Sequence, residues 1–315
     1  MPAATAPTTP TGWRQRLWNW LPQEVDGRIR VFAWLSFLAE IIIIATGGAV
    51  RLTASGLGCP TWPLCTPESL VPTPEMGIHG VIEFGNRTMT GLVGLLALAV
   101  VLLTLRIART RRDLFALALI VLGGVVTQAV VGGITVWTGL NPFIVGFHYV
   151  VSLGLVCVCA AFLVRMREPG GGRAYAVPRW YAITAYVTTG VLAVTIVVGV
   201  LTTGAGPHSG DVAAGRNGFN AELLEHLHAW PGYSLFFLTV VLLIGSWRPT
   251  STAPSLALWT AVLVMLELVQ IVVGLYQARN GLPELAVGTH MVLAALTAAT
   301  MTVVLLRLRN PVEAA

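Results

Sequence analysis

Eight apolar runs separated by short polar connections decide what this chain can become. They cover residues 31–50, 78–105, 114–136, 144–164, 180–203, 223–246, 255–277 and 285–307. Each is close to the about 20 residues that cross a bilayer as a helix, and a helix satisfies its own backbone polar groups where no water is at hand. Composition agrees: 55% of residues are hydrophobic and 10% charged, with mean hydropathy +0.77, whereas a soluble domain is about one-quarter charged. The expected fold class is an all-α integral membrane protein with eight transmembrane helices. No nucleic-acid partner is expected, because the 19 basic residues, all Arg, form no run longer than two.

The runs fall into two sets of four. Gln128, Val130, Val131, Gly132, Gly139, Leu140, Val145, Gly146 and His148 recur 142 residues later as Gln270, Val272, Val273, Gly274, Gly281, Leu282, Val287, Gly288 and His290. The same offset joins Glu83 to Glu225 and sets Asn86 against His228, a gapless register over most of each half. The chain therefore reads as a tandem duplication, two four-helix bundles with parallel topology related by a pseudo-two-fold axis along the membrane normal. The expected divisions are an N-terminal arm (1–30), a first repeat (31–165), a linker (166–179), a second repeat (180–307) and a tail (308–315). The first thirty residues carry Arg14, Arg16, Arg28 and Arg30 but no short apolar core of a cleavable signal, and read as a retained arm. Fifteen Arg lie in the arm, the tail and the connections on their side, against Arg51, Arg216 and Arg279 on the other. The positive-inside rule then makes both termini cytoplasmic in a multi-pass protein of the cell membrane.

Cysteine usage gives one outward feature. Cys59 and Cys65 lie in an external connection, where oxidation persists and a disulfide suits them; a metal site is the alternative, but no His lies beside them and zinc wants four ligands. Cys157 and Cys159, inside a span, read as small packing residues.

Charged and imidazole side chains inside the spans are costly and point to function. Glu83 and Asn86 share a helical face; Glu83–Arg87 at i, i+4 as a structural pair is the lesser alternative, since it does not explain why Glu recurs at 225 without an Arg behind it. His228 is three residues from Glu225, whereas His226 points about 200° away and reads as interfacial. His148 and His290 each follow a glycine, Gly146 and Gly288, that lets a backbone or a flat ligand approach. A lone membrane His usually just bonds a neighbouring helix; three His and one Asn at matched positions of four helices argue otherwise. Imidazoles from facing helices hold haem iron, and the second half offers a complete pair, His228 and His290. The first half has His148 opposite Asn86, and an amide is a poor iron ligand. One site is closed and suits electron transfer; the other is open, beside a buried carboxylate, and suits chemistry on a bound haem.

These residues resemble a known family. The eight-span duplicated plan, Gly-Gly-Ala-Val-Arg-Leu-Thr-x-Ser-Gly-Leu-Gly-Cys-Pro-x-Trp-Pro-x-Cys (47–65), Glu-x-x-Asn-Arg (83–87) and Gly-Ala-Gly-Pro-His-x-Gly-Asp (204–211) are similar to haem A synthases over residues 31–307. The resemblance implies oxidation of the C8 methyl of haem O to a formyl group, giving haem A for terminal oxidase assembly, with haem b as cofactor. It implies that His228 and His290 ligate that haem, that Glu83 is the catalytic carboxylate, and that Cys59 and Cys65 form a disulfide. His148, Asn86, Arg87 and His79 would then meet the substrate haem. Asn86 departs from the family's usual His, and His79, seven residues earlier, is the candidate substitute ligand. The expected partners are haem O, a membrane quinone or redox protein as electron acceptor, and haem O synthase. Two other classes compete: a bis-His cytochrome b acting with quinone, expected to close both sites with His, and a haem carrier or transporter, expected to break its helices at mid-membrane.

Overall fold

The computed structural model describes residues 12–247 and 254–312. Parts of the arm (1–11), of the 247–254 connection and of the tail (313–315) lie outside the described residues. Helix α1 (Trp13–Trp20) precedes the spans α2 (Gly27–Leu52), α3 (Gly77–Thr104), α4 (Arg112–Trp137), α5 (Pro142–Arg165), α6 (Arg179–Ala205), α7 (Ala221–Ser246), α8 (Pro254–Arg279) and α9 (Glu284–Arg307). All eight spans are long and apolar enough to cross a membrane, so the protein is a multi-pass membrane protein.

The boundaries have local causes. The Asp26 carboxylate accepts from the backbone N–H of Arg28 and Ile29 and starts α2. Asn141 Oδ1 caps α5 and Asn220 Oδ1 caps α7 in the same way. Between α4 and α5 the chain turns through Gly139 and Leu140, at φ of 61° and 60°, and between α8 and α9 through Gly281 and Leu282, at 70° and 59°. A leucine in the left-handed region costs about 1–2 kcal/mol. Both turns are closed alike, Leu140 N–H donating to the Thr135 carbonyl and Leu282 N–H to that of Gln277, each at 2.8–2.9 Å. Identical turns set the rotation of α5 and α9 and so the direction of His148 and His290.

Helices α2–α5 pack around one another, as do α6–α9, and the two bundles meet where α5 and α2 lie against α9 and α5 lies against α6. The bounds of α4 and α8, and of α5 and α9, are 142 residues apart at both ends, but α2 and α6 begin 152 apart. The gapless register of the sequence therefore stops short of the first span of each half, because the 53–76 connection is 24 residues long and its counterpart, 206–220, is 15. Ile44, Leu153, Val156, Ala160, Ala295 and Ala299 form the apolar seam between the halves. Tyr149 Oη crosses it to donate to the Met291 carbonyl at 2.8 Å, one residue past each histidine.

At the end of the bundle carrying α1 and residues 308–312, the linker and the described part of the tail are not mere connections. Arg173–Tyr175 (β1) pairs antiparallel with Arg309–Pro311 (β2), with Ala174 opposite Asn310. Glu168 beneath gathers Arg173, Arg307 and, more loosely, Arg165. Arg106 donates to the carbonyls of Trp18, Asn19 and Leu21, tying α1 to the α3–α4 connection.

At the other end the 53–76 connection folds over α3. Cys59 and Cys65 are joined in a disulfide, while Cys157 and Cys159 are free within α5. Denaturing alkylation without reductant should therefore add two labels to the chain and, after reduction, four. Four labels before reduction would remove the disulfide. So short a loop contributes about 2 kcal/mol in the chain-entropy view, so Cys59→Ser with Cys65→Ser should loosen this loop and leave the bundle folded.

Candidate functional site

A cavity of about 460 Å³ runs between the two bundles near the disulfide end. Asn86, His148, His228 and His290 all line it, one each from α3, α5, α7 and α9. Each sits against a glycine of the preceding helix. A methyl group on Gly199 would stand 2.7 Å from His228 Cε1, one on Gly274 3.3 Å from His290 Cε1, one on Gly132 3.5 Å from His148 Cε1, and one on Gly47 3.8 Å from Asn86 Oδ1. These are the glycines that give the rings room. Gly146 and Gly288, expected to admit a backbone or flat ligand, face the other bundle instead: their added methyls would meet Val200 and Leu52 side chains at 2.5 and 3.2 Å.

In the second half the rings of His228 and His290 have centroids 6.2 Å apart and planes at 75°. Two imidazoles binding one metal ion from opposite sides through bonds of about 2.0–2.1 Å have ring centres about 6 Å apart. His228 Nδ1 is 3.0 Å from the Thr195 carbonyl, which only accepts, so Nδ1 carries the proton and Nε2 keeps its lone pair for a metal. His148 Nδ1 is buried without a hydrogen-bond partner among the described residues, and the Gln270 backbone lies close to the His290 ring. The pair thus fits a haem iron in spacing and room, and His228 in tautomer as well.

The first half is built differently. Thr46 Oγ1 donates to Asn86 Oδ1 at 2.8 Å, which leaves the amide NH₂ as a donor toward the cavity rather than a ligand. Gln128 fixes the backbone beside His148, its Nε2 donating to the His148 carbonyl at 2.6 Å and to Ser152 Oγ at 2.5 Å.

Three residues expected here are not brought to the cavity. Glu83 is 5% exposed, but its carboxylate points at the disulfide loop: Oε2 accepts from Cys59 N–H at 2.6 Å and Oε1 is paired with Arg87. Arg87 spends its remaining donors on the carbonyls of Cys59, Thr61 and Leu64, which leaves it none for a porphyrin carboxylate. His79 is exposed and bonded through Nδ1 to Ser55 Oγ at 2.9 Å, so it does not replace the missing ligand at Asn86. Glu225 borders the cavity yet is exposed and unbonded among the described residues, unlike Glu83. His226 is exposed, in keeping with its interfacial reading.

The cavity also exposes residues to which the sequence reading gave no site role. Glu40 and Glu267, 2% and 3% exposed, line its floor. Glu267 Oε1 accepts from Thr239 Oγ1 at 2.9 Å, while Glu267 Oε2 and Glu40 Oε1 have no partner among the described residues. Arg51 lines its upper part. All three are single charged residues within or ending an apolar run, the signal that does mark membrane sites.

Comparison with known proteins places the chain. A family profile described as cytochrome oxidase assembly protein, COX15-CtaA, matches residues 30–208. The chain belongs to this family. Among similar proteins, one from Exiguobacterium sibiricum is 34% identical over 131 residues, one from Bacillus cereus 31% over 128 and one from Listeria welshimeri 28% over 137. Each is named heme A synthase, and each match covers 39–43% of this chain. The chain spans about two-fifths of the length of these curated relatives, 40–43%.

The glycine cradle of this family member gives a sharp test. Gly199→Val should push the His228 ring out of line with His290 and abolish a low-spin bis-imidazole spectrum on reconstitution with haem. Gly190→Ala on the same helix, where an added methyl meets nothing within 4 Å, should leave the spectrum unchanged.

Proposed function

We propose that this protein is a haem A synthase, a membrane oxidoreductase that converts the C8 methyl of haem O to the formyl group of haem A. The observation that carries the reading is the pair of unlike sites on one cavity: a metal-spaced imidazole pair in the second half, and a single imidazole facing an amide in the first. The matches to proteins named heme A synthase support the same activity.

In this reading His228 and His290 hold haem b, which supplies reversible one-electron transfer when bound. His148 holds haem O from one side. Asn86 offers its NH₂ on the opposite side, where a donor can polarise an incoming oxygen group but cannot close the site. Apolar side chains of α2, α5 and α9 exclude bulk water between the sites, so electrons leaving the substrate have a short path to the second half. A membrane quinone or a redox protein would take them onward, and haem O synthase is the natural donor of substrate. Orientation follows from the arginines: the end with the arm, the β1–β2 ribbon and both termini lies in the cytoplasm, and the cavity opens toward the outer face of the cell membrane.

A purely electron-transferring cytochrome b is disfavoured by Asn86, which leaves the first half with one imidazole. A carrier is disfavoured by the eight unbroken spans, whose only described interior proline is Pro231 of α7.

Glu83 takes a different role from the one its sequence position suggests. Its carboxylate, locked to Arg87 and to Cys59 N–H, acts as a positioning group that holds the disulfide loop over the first-half site. Expressed with haem O synthase in a host lacking haem A, the wild type should yield haem A in extracted pigment, and His290→Ala should yield none and lose the low-spin spectrum. Glu83→Gln should keep that spectrum but lower conversion at least about tenfold, the scale of a lost charge-assisted bond, with partly oxidised porphyrin accumulating. Because the pair works as a unit, Arg87→Gln should match it and the double variant should be no worse. A Glu83→Gln defect far exceeding that of Arg87→Gln would mean that the carboxylate meets the porphyrin directly. No haem A from the wild type would overturn the proposed activity.

A further inference from the structure

Arg51 ends α2, in the first half, yet is fastened to the second. Its Nε donates to the His208 carbonyl at 2.8 Å and its Nη2 to the Thr203 carbonyl at 3.0 Å, both beyond or at the end of α6. Leu52, the next residue, lies against Gly288, two residues before His290. Two of the five guanidinium hydrogens are thus engaged, and both acceptors are neutral. Among the described residues no carboxylate pairs with Arg51, and Arg216, a second cation, lies within electrostatic reach of it. A half-buried cation that faces a second cation and only neutral acceptors is an unfinished arrangement. Three hydrogens are left over, on a side chain that lines the cavity.

The position of that free edge is defined. Thr203 lies one helical turn past Gly199, the residue against the His228 ring, and so about 6 Å nearer the disulfide end along α6. A flat ligand centred between His228 and His290 extends its rim to this level. We propose that Arg51 is the anion-binding residue of the second-half site, and that it takes a carboxylate of the porphyrin held there. Planar guanidinium donors match a carboxylate in pairs, and the added negative charge offsets the repulsion between Arg51 and Arg216. Because Arg51 belongs to α2 and its acceptors to the α6–α7 segment, the same carboxylate would brace the two bundles against each other. This inference rests on the porphyrin reading above, and Arg87, whose donors are all used, cannot supply the contact.

The test uses the full-length protein in detergent or nanodiscs, with ferric protoporphyrin IX and its dimethyl ester as probes. Binding is followed by the low-spin spectrum of the His228–His290 site. The wild type should bind the free acid tighter than the diester by about 10–100-fold, the range of a hydrogen bond to a charged group. Arg51→Gln should lose most of that preference by weakening the acid and sparing the diester, and Arg51→Lys should keep part of it. An unchanged preference in Arg51→Gln, with the low-spin spectrum intact, overturns the role of Arg51 and leaves the porphyrin site standing. No low-spin spectrum from wild type with either probe overturns the porphyrin reading itself. Should Arg51→Gln fail to fold, the wild type and Arg51→Lys still decide: an acid-to-diester preference absent in the wild type refutes the proposal.

Discussion

The seam between the two bundles is the contact on which the rest of this structure depends. In a bilayer no hydrophobic driving force separates helix from lipid, so association rests on close packing and hydrogen bonds. Here the packing is small against branched: Gly146 admits Val200, Gly288 admits Leu52, and Ala295 and Ala299 meet Leu153 and Val156. The hydrogen bonds are few and placed at the level of the site, from Tyr149 to Met291 and from Arg51 to Thr203 and His208. If the seam opened, two shallow clefts would replace one cavity. Both half-sites, and any electron path between them, therefore need residues that touch no ligand.

The two halves use one scaffold for different ends. Matching turns at Leu140 and Leu282 aim His148 and His290 alike, and matching glycines give them room. The divergence lies in what faces each histidine and in the loop above it. In the first half the longer connection carries the disulfide, Glu83 and Arg87 are consumed in holding it, and Asn86 presents an amide where the second half presents an imidazole. In the second half the counterpart loop is shorter, Glu225 is released to the surface, and the imidazole of His228 closes the pair. An open site needs a cover and a closed one does not.

How much of this was legible in the sequence follows from what each residue's role depends on. The eight spans and the Cys59–Cys65 disulfide follow from local length and composition, and the structure shows both; the 142-residue offset recurs in the bounds of α4 and α8 and of α5 and α9, and His228 and His290 lie ring against ring. Glu83 was read as facing the cavity because it shares a face with Asn86. Three residues at about 100° each leave the two side chains some 60° apart, enough for one to meet the cavity and the other the loop; which does so depends on helix rotation, set by tertiary packing. The same limit hid the direction of Gly146 and Gly288. Arg51 entered the reading in a count of charges and inside the 47–65 motif without a role of its own, and Glu40 and Glu267 not at all, since a single acid in an apolar run forms no motif. The β1–β2 ribbon was out of reach because its strands are three residues long and pair residues some 130 apart.

The hydrogen-bonding of the rings adds a last distinction. His228 donates Nδ1–H to a backbone carbonyl, which raises the basicity of the opposite nitrogen and fixes the ring. His148 Nδ1 has no such partner among the described residues and its ring rests on Gly132, while the His290 ring rests on Gly274 with the Gln270 backbone close by. The second-half pair thus joins a ring anchored through Nδ1 to a second imidazole, whereas the first half has only His148, whose Nδ1 is without a partner among the described residues. A substrate must enter and its product leave, while a cofactor stays. An unsupported imidazole facing an amide is suited to exchange, and an imidazole anchored to the backbone, opposite a second imidazole, to retention.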